Sequence, residues 1–178
     1  MNPQLFLITG VNGIGKSSVI PELGSLLDAD IFEIHDFDER GVPDNAGQEW
    51  RESETKHWVK VAIENSMHGI ATIVCGFMKT SDIQYALGDC PEIKASMCLL
   101  DADAETISER ILSRYTTPES LQELERTTGK TPEKFVSDNV WVSTKFRKEA
   151  KEKGYYVLDT NNLTPKEVAE KIVEWVNM

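Results

Sequence analysis

Between Gly10 and Ser17 the chain reads Gly-Val-Asn-Gly-Ile-Gly-Lys-Ser, which fits G-x-x-x-x-G-K-[ST] at every fixed position. Glycines at this spacing let the backbone wind until successive N–H groups converge, and a helix opening at Lys16 adds the positive end of its dipole. Such a nest holds an anion. The lysine and hydroxyl specify which one: Lys16 reaches the β- and γ-phosphates of a nucleoside triphosphate, and Ser17 ligates Mg²⁺. A chance match in a chain this long is on the order of 1% or less. Gly10, Asn12, Gly13, Ile14, Gly15, Lys16, Ser17 and Ser18 are therefore the expected nucleotide contacts, with ATP and Mg²⁺ as ligands.

A magnesium site also needs a carboxylate. The apolar run Thr72-Ile-Val-Cys-Gly-Phe77 ends in none, whereas His35-Asp-Phe-Asp-Glu-Arg40 supplies two. In an extended segment residues i and i+2 face the same way, so Asp36 and Asp38 both point beyond the phosphates. One acid orients the ion and its waters; the other accepts a proton from a substrate hydroxyl. The competing reading is an acidic surface turn. His35, alone at a strand end, reads as a hydrogen-bonded structural residue. Arg51 and Glu54 lie one helical turn apart, an arginine oriented by its own carboxylate or else a solvated ion pair.

These groups need elements to hold them. Short apolar runs alternate with helical patterns. Strands are expected at Leu5 to Thr9, Ile31 to His35, Ala71 to Cys75, Ala95 to Leu100 and Tyr155 to Leu158. Helices are expected from Lys16 to about Leu27, Trp50 to Met67 with Gly69 as its stop, a short one opening at the capping box Ser81 to Gln84, Asp103 to about Tyr115, one opening at Thr131-Pro132 and ending before Gly154, and a last one opening at Thr164-Pro-Lys-Glu167. Pro21 predicts a kink or an irregular turn in the first helix. Repeated β-α alternation implies a parallel sheet with right-handed crossovers and helices on both faces, binding ligands at the carboxyl ends of its strands.

The 178 residues suit one domain, and 40% hydrophobic with 28% charged residues is a globular composition. A net charge of −11 disfavours duplex nucleic acid and anionic membrane as partners. Any anionic ligand must be held locally. Cys75, Cys90 and Cys98 lack metal-ligand spacing and read as reduced, mostly core thiols. The N-terminal stretch has no basic segment and is too short and too little apolar for a signal or a span, so a cytoplasmic location is expected.

The phosphate loop, the Asp-x-Asp after the second strand and Trp50-Arg51-x-x-Glu54 resemble the small-molecule kinases of the P-loop class, especially the shikimate and gluconate kinase branch. The resemblance implies a three-layer α/β/α P-loop NTPase fold with a five-stranded parallel sheet and a small lid at about residues 115–131. It implies Asp36 for magnesium, Asp38 for the acceptor hydroxyl and Arg51 for an anionic group on the acceptor. Leu100-Asp-Ala-Asp and Arg110-Ile-Leu-Ser-Arg114 look like the strand and helix leading into the lid of nucleoside monophosphate kinase relatives, where an arginine stacks on adenine or reaches the transferring phosphate. Arg110, Arg114 and Arg126 are the candidates. Asp159-Thr-Asn-Asn-Leu163-Thr-Pro resembles the segment that lies against adenine, which brings in Asn161. Shikimate kinases carry three glycines where this chain has Cys75-Gly76-Phe77-Met78-Lys79, so Gly76 alone borders the acceptor and shikimate itself is disfavoured.

The expected activity is ATP-dependent phosphate transfer to a small anionic metabolite by a monomer or homodimer, with Lys16, Asp36, Asp38 and Arg114 catalytic and Asp38, Arg40, Arg51 and Gly76 at the acceptor. A nucleoside or nucleotide kinase differs only in acceptor, with Arg40 and Arg51 gripping phosphate. A nucleotide-dependent switch protein without transfer is the alternative of another class, though no segment ordered by the γ-phosphate is evident.

Overall fold

The computed structural model describes residues 4–44 and 46–178; Met1, Asn2 and Pro3 of the N-terminal stretch lie outside them. Five parallel strands, β1 (Gln4–Thr9), β2 (Phe32–Asp36), β3 (Ala71–Cys75), β4 (Lys94–Asp101) and β5 (Tyr156–Asp159), form one sheet in the order β2-β3-β1-β4-β5. β1 pairs with β3 through Leu5↔Thr72 to Ile8↔Cys75 and with β4 through Gln4↔Lys94 to Thr9↔Leu99. Both faces are covered, which is why β3 is buried along its whole length. Along β1, Phe6 and Ile8 enter one hydrophobic cluster with Val19, Leu23 and Ile172, while Leu5 and Leu7 enter the other with Trp58, Val59 and Ile83. The period of two thus divides the core between two helical layers.

The helices are α1 (Lys16–Leu26), α2 (Gln48–Met67), α3 (Thr80–Leu87), α4 (Ala104–Leu112), α5 (Pro118–Thr128), α6 (Pro132–Lys153) and α7 (Pro165–Val176). The sequence signals at their ends are used as expected. Thr164 accepts from the Glu167 backbone while Glu167 Oε2 accepts from Thr164 N at 2.8 Å. Asp103 and Thr131 cap α4 and α6, and Gly154, at φ 67°, ends α6.

Two expectations need correction. The Ser81 capping box does not form, because α3 opens two residues earlier with Lys79 at its N-cap and no side-chain cap. There is no irregular turn at Pro21; α1 runs on from Lys16 to Leu26, so the lost donor costs one bond near the helix start rather than the helix. The segment at about residues 115–131, to which no element was assigned, contains α5, whose Thr117 and Ser120 form a reciprocal capping box and whose Gly129 terminates it at φ 66°. With serine instead of Glu or Gln at the third position, that box lacked its usual signature. Every strand but β3 shifts by a residue at one or both ends; the shift that matters is that β2 ends on Asp36, so the first acid belongs to the strand itself.

Candidate active site at the carboxyl end of the sheet

β1 ends at Thr9, and the loop from Gly10 turns directly into α1. Its shape depends on glycine: Gly13 has φ 81°, and a Cβ there would meet Ile111 Cγ1 of α4 at 2.9 Å. The loop is also pinned from α6. Buried Asn139 accepts through Oδ1 from both Asn12 N at 3.0 Å and Asn12 Nδ2 at 3.2 Å, and donates to the Phe135 carbonyl at 2.8 Å. Lys16 Nζ donates to the Val11 carbonyl at 2.8 Å. Burial, and next the Arg114 guanidinium, lower the Lys16 pKa from 10.5 to about 8. A cation held at that cost is a site waiting for negative charge.

The acids stand opposite. Asp36 Oδ1 accepts from Asp38 N at 3.0 Å, and Asp36 N donates to Glu39 Oε2 at 3.1 Å. Glu39 Oε1 lies 2.9 Å from His35 Nδ1, and the His35 ring lies 4.5 Å from that of Trp58. His35 is thus a structural strut for the turn. Phe37 points the other way into the core, and Trp58 Nε1 donates to its carbonyl at 3.3 Å. Gly76 makes this possible, since a Cβ on it would sit 2.1 Å from Phe37 Cβ. Burial, then the neighbouring Asp36 charge, raise the Asp38 pKa above the ordinary value.

Asp36, Asp38, Lys16, Ser17, Gly76 and Arg114 border one small cavity of about 90 Å³ above the loop. The two acids share this cavity as expected, but not through an extended segment: residues 37–40 form a turn, in which Glu39 N donates to the Asp36 carbonyl at 3.1 Å, and the turn brings Asp38 back beside Asp36. The donor set fits magnesium: one strand carboxylate and one hydroxyl beside a phosphate nest, leaving the remaining positions to phosphate oxygens and water. Among the described residues, no group of three or more His, Cys, Asp or Glu makes an all-protein metal cage.

Two larger cavities open from this one. On one side, about 350 Å³ is bordered by Gly13, Gly15, Arg110, Arg114, Thr160 and Leu163 among others. Arg110 donates to Thr160 Oγ1 at 3.0 Å and to the Thr160 carbonyl at 2.6 Å, joining α4 to the segment after β5. Ser18 borders this cavity too. Asn161 does not; its Oδ1 accepts from Asp103 N at 3.0 Å, so Thr160 and Leu163 occupy the place expected for it.

On the other side a cavity of about 790 Å³ is bordered by Asp38, Trp50, Arg51, Phe77, Arg126 and Thr128 among others. Asn12, Asp38 and Phe77 border both this cavity and the smallest one. Arg51 is present as expected, but the pairing inferred for it is not. Its Nε donates to Asp82 Oδ2 at 2.9 Å, whereas Glu54 takes Arg40 Nη1 at 3.2 Å. Glu54 is buried and needs a cation, which Arg40 supplies from the turn carrying Asp38. Arg40, expected at the acceptor, is consequently absent from the border of that cavity and borders a separate surface depression with Lys56 and Lys60. Arg126, on α5, pairs with Glu123 at 2.8 Å and approaches Asp44 at 3.8 Å across the cavity mouth.

Asn139, Asp82 and Thr160 carry the site and escaped the sequence reading. Asn139 and Asp82 are buried polar residues inside helices, and only their apolar neighbours hinted at burial. Thr160 stood inside the segment already singled out. The thiols are as read: Cys75 and Cys98 are buried, and burial pushes Cys75 up to about 12.

No protein-family model matches this sequence, and no curated protein is significantly similar to it. Solved structures do resemble it. Shikimate kinase from Acinetobacter baumannii in complex with shikimate superposes with a TM-score of 0.58 at 17% identity, over 98% of this chain and 93% of that one. The protein APE1195 gives 0.66 at 19% identity over 99% and 96%. A sugar kinase from Janibacter sp. HTCC2649 gives 0.56 at 18% identity over 98% and 94%. No helix among the described residues is long and apolar enough to cross a membrane. The chain has the fold of the P-loop small-molecule kinases, spanning nearly the full length of each of these neighbours.

Proposed function

We propose that the protein transfers the γ-phosphate of ATP to a hydroxyl of a small anionic acceptor. One observation carries the reading: the small cavity above the loop shares bordering residues with a cavity of about 350 Å³ on one side and one of about 790 Å³ on the other, and Asp38 borders both the small and the large one. The base lies against Arg110, Thr160 and Leu163, and the triphosphate runs through the loop from Gly10 to Ser17. Ser17, and Asp36 through water, would hold a magnesium ion, which would supply positive charge against the phosphates. Lys16 and Arg114 face the transferring group. The acceptor hydroxyl gives its proton to Asp38 while its oxygen bonds to the γ-phosphorus. The bond from that phosphorus to the β,γ-bridging oxygen breaks, and ADP leaves.

Most of the catalysis is positioning and electrostatics. The raised Asp38 pKa suits a proton acceptor, because a more basic carboxylate has more driving force for the transfer. Arg51 supplies the local cation that an acidic protein needs to attract an anion. The structural neighbours, among them a shikimate kinase and a sugar kinase, support a small-molecule kinase.

The second reading is a nucleoside or nucleotide acceptor. The size of the acceptor cavity, about 790 Å³, and the aromatic rings of Trp50 and Phe77 on its border favour it. An ADP-release screen over sugar acids, hydroxy acids, nucleosides and nucleotides separates the two. Release stimulated by sugar acids or hydroxy acids supports the first reading; release stimulated by nucleosides or nucleotides alone supports the second.

A further inference from the structure

Asp82 is a carboxylate only 1% exposed, set near the start of α3, away from the phosphate loop and the Asp-x-Asp turn. Its Oδ2 accepts from Arg51 Nε at 2.9 Å, and its Oδ1 has only Ser81 Oγ at 3.4 Å. A buried carboxylate with one close charged partner binds that partner firmly, because either group alone would be stranded away from water. The bond uses Nε alone. Among the described residues Arg51 Nη1 and Nη2 donate to no protein acceptor, and Arg51 borders the acceptor cavity. Glu54, one turn along α2, is unavailable to do the same work, because Arg40 holds it.

We propose that Asp82 is the positioning residue for acceptor recognition: it takes Arg51 by Nε and presents the terminal Nη1/Nη2 pair to a carboxylate or phosphate of the acceptor. The consequence is directional. With Nε occupied, the arginine offers its end rather than its side, so the acceptor's anion is gripped by two parallel N–H donors from one direction. α3 follows the β3 loop that contains Gly76 and Phe77, so this grip sets the acceptor's anion relative to the cavity wall as well as to α2.

The inference rests on the reading of Arg51 as the acceptor's cation, and the test keeps the two apart. Steady-state ADP release is measured with the carboxylate or phosphate ester of highest kcat/KM in a panel of sugar acids, hydroxy acids, sugar phosphates and nucleotides. Arg51→Lys should raise the acceptor KM by about tenfold or more, since the charge stays and the fork is lost. Asp82→Asn should raise it by about tenfold, with the KM for ATP unchanged, because a mis-aimed arginine binds the acceptor poorly without touching the nucleotide. Asp82→Glu should recover most of that loss, leaving a rise of about threefold. In an Arg51→Lys background Asp82→Asn should add nothing.

If Arg51→Lys raises the acceptor KM while Asp82→Asn leaves it within about twofold, Asp82 only fills space and the inference is overturned. Should Asp82→Asn fail to bind ATP, Asp82→Glu decides: a wild-type acceptor KM overturns the inference, and a raised one with ATP affinity intact supports it. An unchanged KM in Arg51→Lys, or a panel that yields no anionic acceptor, overturns the reading of Arg51 and this inference with it.

Discussion

Lys16 is held at a cost that can be measured without any substrate. Its pKa falls from 10.5 to about 8, chiefly through burial, and at about 1.4 kcal/mol per tenfold this corresponds to about 3 kcal/mol. The side chain keeps some solvent exposure, and replacing it removes the charged hydrogen bond to the Val11 carbonyl, worth about 1.5 kcal/mol. Lys16→Met should therefore stabilise the nucleotide-free protein at pH 7 by about 1–2 kcal/mol. At about 2–4 °C per kcal/mol for a chain of this size, the melting temperature rises by about 2–8 °C.

The sign with pH follows from linkage. Between about 8 and 10.5 the unfolded chain binds the Lys16 proton and the folded one does not, so Lys16 makes stability rise with pH across that window. Below it the penalty is constant. The advantage of Lys16→Met over wild type should hold from pH 6 to 8 and vanish by about pH 10. Urea unfolding of both proteins across this range is the assay. A Lys16→Met protein less stable than wild type at pH 7, or a difference that does not change with pH, would refute the account of a strained cation. The same variant should lose phosphate transfer.

Asp38→Asn should lower kcat by about 10²–10⁴ while leaving acceptor KM mostly intact, since a proton acceptor matters in the transition state. The wild-type kcat should fall on the acid side with an apparent pKa above the ordinary 3.8, and a flat acid limb would remove Asp38 from proton transfer. Gly76→Ala should destabilise by about 1–3 kcal/mol, because its Cβ meets Phe37 Cβ at 2.1 Å; thermal unfolding checks this, and an unchanged midpoint contradicts the packing. Asn139→Ala should weaken ATP binding through the loop it pins, read by calorimetry as a raised Kd for ATP with acceptor KM unaffected.

The sequence exposed what depends on local pattern and concealed what depends on distant pairing. All five strands, the phosphate loop and the Asp-x-Asp pair follow from periodicity and spacing, and a parallel sheet brings Asp36 of β2 and Lys16 after β1 to one end by topology alone. The salt bridges did not follow. Arg51 and Glu54 satisfy the i,i+3 rule on α2, yet that rule describes an isolated helix. Asp82 lies 31 residues from Arg51 and Arg40 lies 14 from Glu54, so each pair was decided by burial of the carboxylate rather than by helical spacing. Asn139 is 127 residues from Asn12, and nothing near either one announces the contact. At Pro21 the irregular turn does not occur, because Val19 and Leu23 on either side of it bury a continuous α1 in the core.

Phosphate transfer is measured most directly as ADP release by the full chain with ATP and magnesium, with and without the acceptor panel. Release should be slow alone and strongly stimulated by an anionic hydroxyl compound, with that compound recovered as a phosphate ester in step with the ADP formed. Tight, magnesium-dependent ATP binding with no acceptor stimulating release and no phosphate ester formed would contradict transfer and favour a nucleotide-dependent switch.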